Sequence, residues 1–198
     1  VTSINQSAFE GGNNLISITL PSTLTEIGNY VFRACSSLNS ISLPSSLTEI
    51  GLEAFAFCRS LETIIVPDMV SKINENTFRV CDKLTHLTLG SGVTVFNDNL
   101  DITTNLRSIY CRSNTPPTLA SYNFTQNNGS HPNLTTIYVP QGARSSYYNS
   151  SSGWRNYSIV EYDGSLPAPW GSSNEGSNEG ETTAKVAVDT NSQWRISS

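Results

Sequence analysis

Few residues in these 198 are equipped for catalysis or metal binding: four cysteines, two histidines and a scattering of carboxylates. Cys35, Cys58 and Cys81 follow one another at intervals of 23 residues, and Cys111 stands further on. A structural zinc site wants close cysteine pairs completed by Cys or His, and the chain holds no such pair. Side chains stacked one above another come within disulfide range, but parallel neighbours are poorly aimed for bonding. The expectation is therefore buried, reduced cysteines packing as small apolar residues. No metal and no cofactor is anticipated.

Nucleophilic catalysis needs a nucleophile, a base and an orienting group together. His86 falls in a slot shared with Ser17, Ser40 and Thr63, with no acid expected beside it. That makes it a surface residue of a strand rather than a base. His131 lies in a loop and receives no role. Glu26 and Glu49 recur in one slot, but a glycosidase pair needs a sugar-sized cleft between its carboxyls. A solvated ladder is expected in its place, so no catalytic residue is assigned and no enzyme is expected.

The recurrence that places these residues runs through the whole first part of the chain. Steps of 23 from Val1 reach Leu24, Leu47, Val70 and Val93, all aliphatic. The same step links Ile4, Ile27, Ile50, Ile73 and Phe96, and links Phe9, Phe32, Phe55 and Phe78. Leu15, Leu38, Leu61 and Leu84 follow, then Ile18, Ile41, Ile64 and Leu87, then Leu20, Leu43, Val66 and Leu89. A unit too short to bury its own apolar face must stack on copies of itself. The segment Leu38–Pro44, LNSISLP, alternates as a half-buried strand does, and Pro21, Pro44 and Pro67 end the strands. The stretch bearing Phe and Cys has the spacing of a short helical or 3-10 turn. Asn5, Gly28, Gly51, Asn74 and Asn97 share one slot, and these residue types predict a left-handed turn there.

The fold class is thus an α/β solenoid. It carries a parallel sheet on its concave face and short helical or 3-10 turns on its convex face, with coils ~4.8 Å apart. The motif LxxIxLPxxLTxIGxxAFxxC, read from Leu38 to Cys58, resembles the leucine-rich repeats of the BspA type. That resemblance implies an exported bacterial protein, placed extracellularly or on the cell surface. It further implies adhesion or binding to a host extracellular matrix or cell-surface protein.

Four regular units are followed by a fifth that has Asp101 in the Phe slot and Thr104 in the Cys slot, and that is one residue short before Leu106. A sixth is stretched by the loop TQNNGSHPN. The solenoid spans 1–140 and a cap with Tyr147, Tyr148, Trp154 and Tyr157 spans 141–163. A Gly/Ser/Asn/Glu-rich linker occupies 164–182. The strand-like tail 183–198 either opens a further β module, resembling a BACON or immunoglobulin-like start, or docks on the solenoid. Since Val1 begins in phase and is not a native start, the chain reads as a piece of something longer. An open apolar edge around Ile4, Phe9 and Ile18 is expected, with a tendency to associate.

Charged residues make up 14% of the chain, the net charge is -5, and the eleven basic residues are scattered. That excludes a nucleic-acid partner, which requires clustered Lys and Arg. No apolar run approaches the ~18 residues of a membrane span. The outward strand positions form two rows: Ser17, Ser40, Thr63, His86, Ser108, Thr136, and Thr19, Ser42, Ile65, Thr88, Tyr110, Tyr138. The second grows aromatic toward its end, and solenoids bind partners on this face. Ile65, His86, Thr88, Tyr110 and Tyr138 are the candidate partner-binding residues. A protein partner is expected; carbohydrate recognition by the tyrosines, or a purely structural spacer, are the alternatives.

Overall fold

The computed structural model describes residues 1–98, 100, 103, 105–119, 133–151 and 153–165. The loop with His131, the positions Asp101 and Thr104, nearly all of the linker and the whole tail lie outside the described residues. The strands are β1 (Ser3–Ile4), β2 (Glu26–Ile27), β3 (Glu49–Ile50), β4 (Thr63–Ile65), β5 (Lys72–Ile73) and β6 (His86–Leu89). They continue with β7 (Val95–Phe96), β8 (Ser108–Cys111), β9 (Thr118–Leu119), β10 (Thr136–Pro140) and β11 (Ser158–Tyr162). A short helix α1 (Arg144–Tyr148) and a 3-10 helix (Gly153–Asn156) precede the last strand.

Every described strand pair is parallel and in register. A main sheet takes the order β11-β10-β8-β6-β4, while β1-β2-β3 and β5-β7-β9 form shorter ladders. In those ladders Ile27, Ile50, Ile73 and Phe96 are wholly buried, and the residues before them, Glu26, Glu49, Lys72 and Val95, are partly or fully exposed. The core is the set of repeating slots. Phe9, Phe32, Phe55 and Phe78 stack with successive ring centroids 5.4, 5.3 and 6.0 Å apart.

The main sheet is strand only from β4 onward. In the first two coils Ile18 and Ile41 still face inward, but the coils are joined there by bonds such as Asn39 N–H to the Ile16 carbonyl, 3.1 Å, and Glu62 N–H to the Asn39 carbonyl, 3.4 Å. Their outward residues are small Ser and Thr. Cross-strand pairs of β-branched and aromatic side chains, which tighten a ladder, begin with Ile65 and Thr88.

The left-handed residues are not where the Gly/Asn slot predicts them. Positive φ occurs at Ser7, Tyr30, Glu53 and Asn76 (59°, 60°, 51°, 55°) and again at Gly11, Ala34, Phe57 and Val80 (74°, 60°, 63°, 58°). These pairs break the Phe/Cys stretch into consecutive turns, so no helix runs through it in the regular coils. Some amides bond three residues back, as Cys35 does to Phe32 at 3.0 Å. Alternate ones reach the next coil: Tyr30 to Leu52, Phe32 to Ala54, Ala34 to Ala56, at 2.9, 2.8 and 2.8 Å. A helix would direct all its amides along its own axis, whereas this backbone lends half of them to stacking. Glycine serves its slot for a different reason. A Cβ on Gly51 would lie 2.5 Å from Asn29 N and Gly28 C, and one on Gly28 would lie 2.9 Å from Gln6 N.

The shortened fifth unit also resolves differently. Thr103 Oγ1 donates to the Phe78 carbonyl at 2.9 Å, as the thiols of Cys35, Cys58 and Cys81 donate to Phe9, Phe32 and Phe55 at 3.1, 3.1 and 3.2 Å. Thr103, not Thr104, therefore occupies the Cys slot. Leu100, which bonds Thr103 as Phe78 bonds Cys81, takes the Phe slot. The missing residue lies between Phe96 and Leu100. At the first coil Phe9 and Ile18 are buried, at 3% and 8% exposure, so the open edge is smaller than expected and its exposed apolar residues are Val1 and Ile16.

After β10 the chain folds back onto the array. Trp154 is fully buried, donates Nε1–H to the Pro117 carbonyl at 2.9 Å, and meets Phe96 and Tyr147. β11 then adds a rung to the main sheet, beyond the expected boundary at 140.

Candidate functional site

The five candidate residues come together on the outer face of the main sheet, in two adjoining rows. Thr63, His86, Ser108, Thr136 and Ser158 are register partners in one. Ile65, Thr88, Tyr110, Tyr138 and Val160 are register partners in the other. The repeat places them there, since one step along the stack moves each side chain to the same spot one strand over.

Their exposure differs from expectation. Ile65, His86 and Tyr138 are half-buried, but Thr88 and Tyr110 are buried, at 3% and 4% exposure. Tyr110 is held between two rings. Tyr138 stacks on it at 4.3 Å with an interplanar angle of 8°, and Tyr162 meets it edge-on at 5.6 Å. Burial, with Tyr138 beside it, pushes the Tyr110 phenol up to about 12. Tyr162 belongs to this cluster, and its hydroxyl donates to the Cys111 carbonyl at 3.4 Å. Sequence reasoning read YSIVEY as a final strand but left it inside the cap, so Tyr162 was not joined to the candidate rows. The alternation in SIVEY, which matches the other strands, was the available signal.

His86 Nδ1 lies 2.6 Å from Ser108 Oγ. Burial, helped by Arg107, lowers the imidazole to about 4, so at neutral pH it is an uncharged hydrogen-bonding group. A neutral histidine beside a hydroxyl is half of a hydrolytic arrangement, but Ser108 is only 5% exposed. Its hydroxyl pairs with His86 across the ladder.

The four cysteines are free and buried. Burial pushes Cys35 and Cys111 up to about 12 and raises Cys58 and Cys81 well above the ordinary thiol value. They act as core residues with a weak S–H donor. Among the described residues no cluster of His, Cys, Asp or Glu has the makings of a metal site, and no helix is long and apolar enough to cross a membrane. Glu26 and Glu49 are exposed register partners.

No curated protein matches the chain. Among solved structures it is similar to a leucine-rich repeat protein of T. pallidum, with 28% identity over 60% of this chain and 65% of that one and a TM-score of 0.52. It is also similar to the pneumococcal vaccine antigen PcpA, with 20% identity over 82% of this chain and 42% of that one and a TM-score of 0.58. The chain thus spans 65% and 42% of the lengths of these two proteins, and the second likeness speaks for fold alone. The model of the BspA type leucine-rich repeat region matches residues 2–131 in six copies. With its thiol ladder, stacked phenylalanines and parallel coils in the same register, this chain belongs to the BspA-type leucine-rich repeat family.

Proposed function

We propose that this chain is a non-enzymatic binding module of an exported bacterial protein, engaging a protein partner through the outer face of the main sheet. The observation that carries this reading is the cluster of Tyr110, Tyr138 and Tyr162 on that face, beside half-buried Ile65 and His86. Rigid aromatic side chains already held by one another lose little conformational freedom on binding. Location on the cell surface and adhesion to host matrix, which the family suggests, form part of the same proposal.

The ring geometry favours protein over carbohydrate. Sugars stack on open aromatic faces, but Tyr110 and Tyr138 lie face to face along the ladder, so each covers the other. One face of each ring is thereby closed to a sugar, and Tyr162 meets Tyr110 edge-on as well.

The test is retention of purified extracellular-matrix proteins and of mucin glycans on immobilised chain. The wild type is compared with Tyr138→Ala and with a control on the other ladder, Glu49→Ala. A matrix protein retained by the wild type and the control but lost by Tyr138→Ala supports the reading. Glycan retention insensitive to protein competitors would replace it with carbohydrate recognition. Retention of nothing by any variant would leave a spacer.

A further inference from the structure

Where the fifth coil is one residue short, a side chain takes over a backbone bond. In the regular coils the amide of each Phe donates to a carbonyl of the next coil: Phe9 to Val31 at 3.0 Å, Phe32 to Ala54 at 2.8 Å, Phe55 to Thr77 at 3.0 Å. The Phe78 amide donates instead to Asp98 Oδ2, at 2.6 Å. Asp98 has no exposed surface, and its Oδ1 is buried without a hydrogen-bond partner among the described residues. The buried hydroxyls of Thr77 and Thr103 donate to the Asn74 and Phe78 carbonyls, both at 2.9 Å.

Among the described residues, a titratable group coupled to Asp98 from the preceding coil is the Cys81 thiol. Burial first, and the Asp98 carboxyl second, raise it, so it is neutral. Asp82 acts on the same thiol from the surface, where it is paired with Arg59. Among the described residues of its own coil, the buried Phe96, Leu100 and Thr103 are uncharged. Among the described residues, a carboxylate in this place would have one amide donor and no cation to offset its desolvation, which burial makes costly.

We propose that Asp98 is held as the neutral acid and forms a proton-operated clasp between the fourth and fifth coils, tight when protonated and loosened when it ionises. Burial, opposed by the Phe78 amide, raises the carboxyl from the ordinary 3.8 to about 8. The sign follows from linkage. The clasp is fully closed below the pH at which an exposed Asp ionises, near 4, and its advantage is lost as pH rises to about 8. Within that window, opening becomes up to about tenfold easier per pH unit. The clasp joins the regular coils to the part of the array that carries the tyrosine cluster. The relative rigidity of the two parts is thereby coupled to the acidity of the surroundings.

Hydrogen exchange at the Phe78 amide, corrected for the base-catalysed intrinsic rate, tests this in the wild type and in Asp98→Asn. The amide oxygen of Asn can accept the same bond and does not titrate. Wild-type protection should fall steadily between about pH 5 and pH 8, while the variant stays flat. A flat wild-type profile, or equal slopes in both proteins, would overturn the proposal. If Asp98→Asn does not fold, the carbon-13 titration of the Asp98 carboxyl in the wild type decides. A midpoint far above the usual carboxylate range supports the clasp, and one inside that range sinks it.

Discussion

Replacing Gly51 with alanine puts the proposed reason for this glycine to a direct test. The added Cβ would sit 2.5 Å from two backbone atoms of the preceding coil, Asn29 N and Gly28 C. Comfortable contact begins near 3.4 Å, so the coils must part locally by about 0.9 Å, the difference of those two distances. Backbone cannot rotate away as a side chain tip does. The parting also stretches two bonds that cross this step, Gly51 N–H to the Ile27 carbonyl and Leu52 N–H to Asn29 Oδ1, each 2.8 Å. Overpacking costs about 1–3 kcal/mol, and weakening a hydrogen bond adds about 1 kcal/mol. The expected loss is about 3 kcal/mol, read from urea denaturation followed by circular dichroism at unchanged slope. Gly142→Ala is the control: its φ is +82° and nothing lies within 4 Å of the added Cβ, so it pays only the left-handed penalty of about 1 kcal/mol. If Gly51→Ala costs no more than Gly142→Ala, close approach is not why glycine stands there.

Truncating the tyrosines should separate packing from recognition. Tyr110→Ala should cost about 3–4 kcal/mol in the same denaturation assay, because the ring is buried between two others, while half-exposed Tyr138→Ala should cost clearly less. Equal losses would contradict the sandwich. The His86 ring, lowered to about 4, should show no proton-NMR titration between about pH 8 and pH 5.5, and a midpoint near the usual 6.5 would contradict its half-buried placement. Its contribution to stability is present above about 6.5 and is lost as pH falls toward 4, opposite in sign to that of Asp98.

The exposure of the candidate site was the poorest guide that sequence offered. Row membership was legible, because a strand side chain's direction follows from its parity and its neighbours from the repeat. Tyr110 was correctly placed in an outward row, yet outward is not exposed when Tyr138 and Tyr162 close over it. The Gly/Asn slot shows the same limit in the backbone. Glycine answers to two different needs, positive φ and close approach, and residue type alone does not say which. The residues that do take positive φ include Tyr30, Glu53, Phe57 and Val80, which share no chemistry and carry no local signal. Tyr30, Glu53 and Phe57 donate their amides to the next coil, at Leu52, Glu75 and Arg79.

Sequence by itself determined the period, the inward slots and the family, because any chain that repeats its apolar residues every 23 positions can bury them only by stacking. It also settled the burial of Cys35, Cys58 and Cys81, which share one slot. The tertiary structure decided what happens between coils. Adjacent backbones set which residues turn left-handed, how closely Gly51 must approach Gly28, and that Thr103 inherits the thiol's bond. At the same step the Asp98 carboxyl stands in for a lost carbonyl. These are contacts between residues twenty or more positions apart, and their geometry exists only once the coils are stacked.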